Sequence, residues 1–430
     1  MEQSRSERRE PEIARQLVDR TTALELSAKL ASKSRRGFAA GFAAAIASTY
    51  GHSIGVHGSV TAAPALDGVV LGIEARQLAA RIAAGIDRSP PAEAAYIIGS
   101  IYTTLLPAQF RAQQGIFYTP PELADRLLRM AEEAGIDWRT ARVLDPACGG
   151  GAFLIGVAVR MAHALEGAEP AIALQSIVAR LGGFDFDPFG AWLAQAMLTI
   201  ALEPLARAAG RPVPMIVETR DSLDLESNEV ESWDLVLGNP PYGRVTLSPE
   251  RRRRFARSVY GHANLYGVFT DAAIRWVKRG GVIGYVTPTS MLSGLYYKAL
   301  RGLLAAEAPP LSVNIVSQRD GVFADVLQET MLATYRKGGV PVPANVGFID
   351  VTPDRTIVSR KAGRFTLPAA PQSPWLLPRT AEQAGLTRRL RSMPHRLADY
   401  GYGVSTGPLV WNRHKDQFRR EREVGVIPVV

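Results

Sequence analysis

The chain has 430 residues, 47% of them hydrophobic and 21% charged, a composition typical of a globular protein with more than one domain. Its longest apolar stretches, such as Ala43–Ala47, are too short to cross a bilayer, and the charged first residues, MEQSRSERREPE, predict no secretory signal and no membrane partner. A single cysteine, Cys148, excludes an internal disulfide and favours a reducing, cytoplasmic setting. The formal net charge of +9 favours an anionic partner, most often nucleic acid.

Residues 1–110 carry apolar residues at helical spacing, most clearly in Glu12–Lys29 and Gly68–Ile86. Ser89-Pro90-Pro91 interrupts this region as a loop or as the first turn of a helix. We therefore predict a helical N-terminal region whose role the sequence does not reveal.

Residues 111–340 change to short apolar strands that alternate with amphipathic helices, which predicts an α/β domain with a mainly parallel sheet covered on both faces. The predicted strands are Ala141–Asp145, Gly182–Asp185, Met215–Glu218, Trp233–Gly238, Val282–Thr287, Leu311–Ser317 and Glu329–Tyr335.

The pattern weakens beyond residue 340. We predict a connecting region at 341–395, with a candidate strand at Val346–Val351, a proline-rich linker at Pro368–Pro378 and a short basic helix at Ala381–Arg391. Residues 396–430 are expected to be the beginning of a further domain that continues beyond the given sequence.

The first motif is a strand that ends in an acidic residue and leads into a glycine-rich turn, Asp145-Pro146-Ala147-Cys148-Gly149-Gly150-Gly151. Glycines allow a ligand to approach the backbone closely, and the following helix N-terminus favours negative charge. The spacing matches neither the dinucleotide fingerprint nor a P-loop. An acidic residue before the turn suits a ligand with both an amine and a carboxylate, as in S-adenosylmethionine; a turn without a ligand is the alternative.

The second motif places Asp185 and Phe186 at the end of the next strand. An acidic residue there can accept hydrogen bonds from two ribose hydroxyls, and the neighbouring aromatic ring can stack on adenine. Acidic residues are common at strand ends, so this motif alone has little specificity.

The third motif is a buried strand followed by a rigid loop, Asn239-Pro240-Pro241-Tyr242. The prolines prevent a helix and hold Asn239 in an extended geometry. The Asn239 side-chain oxygen and the Pro240 carbonyl can accept both hydrogens of an aromatic amine and direct its lone pair towards a methyl donor. Tyr242 can stack on a base rotated out of a duplex. A loop that merely closes a strand is the alternative.

In this order the motifs resemble those of the gamma-class adenine-N6 DNA methyltransferases of type II and IIG restriction–modification systems. The resemblance covers about residues 115–337. It implies a Rossmann-like fold that binds S-adenosyl-L-methionine, double-stranded DNA as the partner, and a target-recognition domain beginning at 396–430. It leaves open a cognate restriction endonuclease as a second partner.

The resemblance also implies roles for individual residues. Asn239, Pro240 and Tyr242 are expected to be catalytic. The cofactor is expected to contact nine residues: Thr119, Asp145, Ala147, Gly149, Asp185, Phe186, Asp221, Ser222 and Pro241. The extruded base is expected to meet Phe117, Tyr242 and Phe323.

Other residues narrow the chemistry. The six histidines show no metal-ligand spacing, so no metal is predicted. Cytosine C5 methylation needs a thiolate in the catalytic loop, and the only thiol lies in the glycine turn, so this reaction is excluded.

The run Arg251–Arg254 fits either a phosphate contact or a solvated helix face. Protein-glutamine or RNA-adenine methylation, or a non-catalytic specificity subunit, are the alternative functions.

Overall fold

The computed structural model describes residues 18–56, 63–64, 69–107, 110, 118–224, 230–316, 329–352, 356–371 and 373–403. The chain forms two compact units, Met1–Ala384 and Gly385–Val430. The larger unit contains every strand that the described ranges include.

The N-terminal region is helical, as predicted. Its helices are α1 (18–28), α2 (Ser32–Ser53), α3 (Ile73–Gly85) and α4 (Pro91–Leu105). The alanine-rich α2 buries Phe38 and Phe42, whose rings stack 5.7 Å apart. Pro91 occupies the first turn of α4, where the missing N–H costs nothing.

The sheet contains nine strands in the order β11-β10-β8-β9-β7-β4-β1-β2-β3, and β5 and β6 form a separate two-stranded ribbon. The strands are β1 (Val143–Asp145), β2 (Leu181–Asp185), β3 (Val217–Thr219), β4 (Trp233–Gly238), β5 (Arg244–Val245), β6 (Ala263–Asn264), β7 (Val277–Pro288), β8 (Pro310–Val316), β9 (Thr330–Arg336), β10 (Ala344–Val351) and β11 (Ile357–Phe365). Each predicted strand overlaps an observed one.

Strands β1, β2, β3, β4 and β7 pair in parallel with one another along the sheet. Strand β9 lies antiparallel between β7 and β8, β10 pairs parallel with β8, and β11 is antiparallel to β10. The mainly parallel sheet predicted from the alternating pattern is thus confirmed.

Helices connect the strands on both sides of the sheet. They are α5 (Pro121–Glu133), α6 (Ala152–Ala164), α7 (Pro170–Arg180), α8 (Pro188–Ala208), α9 (Pro249–Arg254), α10 (Leu265–Trp276) and α11 (Lys298–Glu307). Two short 3₁₀ helices, Thr289–Leu292 and Leu295–Tyr297, lie between β7 and α11.

The sheet continues past the predicted domain boundary at residue 340. Strands β10 and β11, within the predicted connecting region 341–395, add two strands to its edge. The sequence pattern indicated only β10. Strand β11 exposes much of its length and carries three basic residues, Arg360, Lys361 and Arg364, so it lacks the apolar run by which the other strands were recognised.

Helix α8 lies at the centre of the larger unit. Most of its residues are buried, and Phe189 packs against Tyr102 of α4 with ring centroids 4.3 Å apart. It is also the one helix among the described residues long and apolar enough to cross a membrane, but 78% of that apolar window is buried. Its composition is therefore that of a core helix.

The second unit contains most of α12 (Ala384–Ser392) and a 3₁₀ helix at Leu397–Tyr400. The ring of Tyr400 lies 5.8 Å from that of His395. Residues 404–430, which hold most of the predicted beginning of a recognition domain, lie outside the described ranges.

Phe189→Ala should lower the free energy of unfolding by about 3–5 kcal/mol, because it removes a fully buried ring that joins α4 to α8. Urea denaturation with an unchanged m-value measures this loss. Val159→Ala on α6 is the control, since Val159 is 50% exposed. A loss below about 1 kcal/mol for Phe189→Ala would contradict the packing.

Candidate active site

A cleft opens at the carboxyl ends of β1, β2 and β4. The chain passes from β1 to β2 on one side and later returns to β4 on the other, so the crevice lies where the strand order reverses, the usual ligand site of such sheets. It encloses about 640 Å³ including its open mouth. Its walls are formed by Tyr118, Pro146, Ala147, Gly149, Asp185, Phe186, Asp187, Gly190, Arg220, Asp221, Ser222, Asn239, Pro241 and Phe269.

The glycine turn forms the floor of the cleft. Gly149 and Gly151 have φ angles of +52° and +85°, which side-chain-bearing residues rarely adopt. A Cβ at Gly150 would clash with the Tyr118 ring, and so would a Cβ at Gly99 of α4. Close packing, besides backbone conformation, therefore requires glycine in this turn.

Asp145 is fully buried at the end of β1. Its Oδ1 accepts a hydrogen bond from the Ala147 backbone N at 3.1 Å, whereas Oδ2 has no hydrogen-bond partner among the described residues. Burial, together with the nearby Asp185, raises the pKa of Asp145 to about 8. A buried acceptor without a donor is costly, so this oxygen suits a cationic or hydrogen-bond-donating ligand.

Asp185 holds the turn in place at the end of β2. Its Oδ2 accepts from the Gly149 N at 2.7 Å and its Oδ1 from the Asp187 N at 2.8 Å. Burial raises its pKa to about 6, although these two backbone donors oppose the shift. Each oxygen retains a second lone pair, so Asp185 can still accept hydrogen bonds from ribose hydroxyls. The predicted ribose contact stays a prediction. The adjacent Phe186 is 66% exposed.

Asp187 ties the N-terminal helices to this edge of the cleft. Its carboxylate accepts from the Tyr102 hydroxyl of α4 at 2.8 Å and from the Arg36 guanidinium of α2 at 3.1 Å. Burial, followed by the charge of Asp187, raises the pKa of Tyr102. Since the Asp187 N donates to Asp185, one chain of contacts leads from α2 and α4 to the glycine turn.

Asp221 and Ser222 also line the cleft. Asp221 pairs with Arg251 at 2.7 Å, and Arg251 also contacts Asp224 at 2.6 Å. The Ser222 hydroxyl donates to the Pro146 carbonyl, which joins this wall to the turn. A cofactor bound at Asp221, as predicted, would therefore share the Asp221 carboxylate with Arg251.

The arginine run forms the short helix α9, and its side chains mostly contact this protein. Arg254 donates to the Leu223 carbonyl at 3.2 Å and pairs with Glu250, and Arg252 donates to the Gly261 carbonyl at 2.9 Å. Arg252 and Arg253 are nonetheless exposed. The helix is therefore partly a structural support and partly a basic surface.

Asn239 projects from the end of β4 with its amide oriented by Thr119. The Asn239 Nδ2 donates to the Thr119 Oγ1 at 3.1 Å. This leaves Asn239 Oδ1 buried and without a donor in the described parts of the chain. Thr119 is itself buried, so the amide is held with its oxygen available for a ligand.

Tyr242 follows on the same loop. Its hydroxyl donates to the Val286 carbonyl at 3.2 Å, and its ring meets Tyr266 edge-on with centroids 6.0 Å apart. Both contacts restrain the ring. Two further predicted residues for the base, Phe117 and Phe323, lie outside the described residues.

The structure thus brings to one cleft most of the residues predicted from the motifs: Ala147, Gly149, Asp185, Phe186, Asp221, Ser222, Asn239 and Pro241. Thr119 joins it through its hydrogen bond with Asn239, and Tyr242 directly follows Pro241 on the same loop. Asp145 lies buried behind the floor. Its carboxylate packs closely against Gly238, since a Cβ at Gly238 would be 2.6 Å from the Asp145 Oδ1.

Six residues of the cleft wall were not among the predicted site residues: Tyr118, Pro146, Asp187, Gly190, Arg220 and Phe269. Phe269 falls on the apolar face of α10, where no local pattern separates a ligand contact from a core residue. Tyr118 and Arg220 directly precede Thr119 and Asp221 in the sequence, two residues that the motifs did indicate. This adjacency in sequence was the available signal.

Gly150→Ala should destabilise the folded chain by about 1–3 kcal/mol, because the new methyl group would displace the Tyr118 ring. Thermal unfolding measures the loss. Gly85→Ala is the matched control: a Cβ there meets nothing within 4 Å, so this change is expected to be neutral or slightly stabilising. Equal unfolding temperatures for the two variants would overturn this account of the turn.

Asp145→Asn should stabilise the ligand-free protein more at pH 8.5 than at pH 5. An Asp carboxyl in the unfolded chain ionises with a pKa near 3.8, whereas burial raises the folded pKa to about 8. The folded state thus binds the extra proton between these values, and wild-type stability falls as pH rises through that window. The asparagine side-chain oxygen can still accept the hydrogen bond from the Ala147 N. Because the amide does not titrate, the stability of the variant lacks this dependence on pH.

Urea titrations at several pH values measure the difference. Asp224→Asn is the control, because the Asp224 side chain is 69% exposed. A stability gain for Asp145→Asn that does not grow between pH 5 and pH 8.5 would contradict a raised pKa for Asp145.

Residues 214–319 match the Eco57I restriction-modification methylase family. This segment contains Asp221, Ser222, the Asn-Pro-Pro-Tyr loop and Phe269, but not the glycine turn.

Curated relatives are type II methyltransferases. The chain is 26% identical over 327 residues to M.PaeR7I of Pseudomonas aeruginosa, covering 68% of this chain and 55% of that protein. It is 29% identical over 232 residues to M.TthHB8I of Thermus thermophilus, covering 51% and 44% respectively. The chain spans about half the length of the curated relatives it matches.

Among solved structures, the type IIG restriction endonuclease BpuSI superposes with a TM-score of 0.52 and 18% identity, over 79% of this chain and 41% of that one. The protein of the DrdV–DNA complex gives a TM-score of 0.51 and 14% identity, over 85% and 45%. At these identities the likeness concerns the fold. The motif resemblance is confirmed: residues 214–319 match the Eco57I restriction-modification methylase family, and the chain is similar to type II methyltransferases.

Proposed function

We propose that this chain transfers a methyl group from S-adenosyl-L-methionine to the N6 amine of an adenine extruded from double-stranded DNA. The observation that carries the proposal is the buried Asn239 Oδ1, which has no donor in the described structure while Thr119 holds the rest of the amide. An amine bound at this oxygen would supply the missing hydrogen bond.

The cleft fits the cofactor on observations independent of that amide. Gly149 leaves the floor open to a close backbone approach, and the buried Asp145 Oδ2 lacks, among the described residues, the donor that a methionine ammonium would provide. Phe186 and Phe269 offer two aromatic rings at the walls, suited to a purine.

The remaining polar residues of the walls complete the proposed cofactor site. Asp185, Asp221 and Ser222 are the proposed partners of the ribose and adenine. When bound, the cofactor supplies a methyl group activated by a sulfonium charge.

The chain's own contribution is to position and activate a weak nucleophile. An aromatic amine has its lone pair delocalised into the ring. Asn239 Oδ1 and the Pro240 carbonyl would accept its two hydrogens and favour a tetrahedral nitrogen, whose lone pair then points at the methyl group. Tyr242 would stack on the extruded base and keep it in this orientation.

The rest of the site agrees with amine methylation. Burial raises the pKa of the Cys148 thiol, which lies in the glycine turn and not in the catalytic loop, so it is not placed as a nucleophile. Amine methylation needs no nucleophilic side chain. The related type II methyltransferases favour DNA over the glutamine and RNA alternatives, and the intact Asn239 speaks against a non-catalytic subunit.

The partner is proposed to be duplex DNA in the cytoplasm, with a cognate restriction endonuclease as a second partner. The family match and the restriction-system relatives support this assignment.

Tritiated S-adenosylmethionine incubated with the chain and mixed-sequence duplex DNA should give label in N6-methyl-deoxyadenosine after digestion to nucleosides. Asn239→Ala should lower the rate at least about 10²-fold, the size of effect seen when one preorganised polar group is removed from an active site. Asn345→Ala is the matched control because Asn345 is an exposed residue of β10.

Cofactor binding, measured on the same samples by calorimetry, separates the possible failures. Binding without transfer to DNA would overturn the proposed substrate. Absence of binding by the wild-type chain would overturn the cofactor assignment. Transfer that survives in Asn239→Ala would overturn the catalytic role of this amide.

A further inference from the structure

A group of aromatic and basic side chains lies at the surface beside the catalytic loop. We call it the Tyr296 surface: Tyr260, His262, Leu295, Tyr296 and Lys298. Tyr260 and Tyr296 are 42% and 50% exposed, and Leu295 is 64% exposed. Large apolar side chains that cluster at a surface commonly mark a binding site.

The side chains of this surface hold one another in place. Lys298 Nζ lies 3.6 Å from the centre of the Tyr260 ring, and the His262 ring lies 5.4 Å from that of Tyr296. The turn at Gly261 lies between them, with a φ of +67°, and a Cβ there would lie 3.0 Å from the Tyr296 ring. The rings are thus ordered without being buried.

The surface is continuous with the catalytic loop. Tyr297, next to Tyr296, stacks on Tyr266 at 5.1 Å, and Tyr266 contacts Tyr242 at 6.0 Å. The ribbon formed by β5 and β6 begins two residues after Tyr242 and ends two residues after His262. A base held by Tyr242 would therefore leave its flanking nucleotides near this surface.

The charge of the surrounding segment suits a polyanion. Residues 243–263 contain six arginines and one glutamate. Three of the arginines pair with carboxylates of this chain: Arg251, Arg254 and Arg257. The other three are exposed: Arg244, Arg252 and Arg253. With Lys298 they leave an excess of positive charge next to exposed rings, the combination used to hold nucleic acid strands with unstacked bases.

We propose that the Tyr296 surface binds the DNA strand beside the extruded adenine, with Lys298 and Arg252 at the phosphates and Tyr296 against an exposed base or sugar. The inference rests on the proposed function and specifies its DNA contacts outside the cleft. Phe186, which is also exposed, lies inside the cleft and is assigned to the cofactor, so it does not compete for this role.

The test is binding of a fluorescent mixed-sequence DNA duplex, followed by anisotropy over a range of salt concentrations. Tyr296→Ala should weaken binding about tenfold, within the range for loss of one stacked base, and Tyr296→Phe should retain affinity. Lys298→Gln should lower the slope of log affinity against log salt by about 0.9, whereas Lys361→Gln on strand β11, at the far edge of the sheet, should leave it unchanged.

Cofactor affinity serves as the check on folding and should not change in any of these variants. Should Tyr296→Ala fail to fold, the salt slope of Lys298→Gln decides. Unchanged DNA affinity and slope in a chain that methylates DNA would overturn this surface alone. Weakened binding in the variants, with no methyl transfer by wild type, would support the surface and overturn the proposed reaction. Absence of DNA binding by wild type at about 50 mM salt would overturn both.

Discussion

Parallel pairing of β1 with β2 on one side and with β4 on the other assembles the candidate site. It aligns the carboxyl ends of three strands, so that Asp185 and Asn239 line one cleft and Asp145 lies directly behind its floor, although many residues separate them in sequence. Backbone hydrogen bonds set this register, and a shift of one residue would turn the acidic side chains into the opposite face of the sheet.

The cleft concentrates polar groups whose burial is unfavourable in the absence of a ligand. Burial raises the pKa values of both Asp145 and Asp185, and Asp145 Oδ2 and Asn239 Oδ1 lack donors in the described structure. Such groups reduce the stability of the folded chain and are retained where they serve binding. The hydrogen bonds from Ala147 and Gly149 to these carboxylates offset part of that cost.

The N-terminal helices form part of the support of this cleft. Arg36 and Tyr102 bind the carboxylate of Asp187, and Gly99 allows α4 to approach the Tyr118 ring that packs on the glycine turn. These contacts give the N-terminal helices a structural reason to pack against α8 and the glycine turn, which composition and periodicity did not provide. The same arrangement means that changes in α2 or α4 can alter the geometry of the turn.

Local patterns in the amino-acid sequence were enough to predict most of the strands, the glycine turn and the Asn-Pro-Pro-Tyr loop, because hydrophobic periodicity, the backbone freedom of glycine and the backbone restriction of proline act over a few residues. The order of these motifs also indicated the family. Three features of the site came from tertiary packing alone: Arg251 pairs with Asp221, Thr119 orients Asn239, and Phe269 reaches the cleft. The first two contacts join residues 30 and 120 positions apart. Their formation depends on how strands and helices pack, which no local pattern encodes.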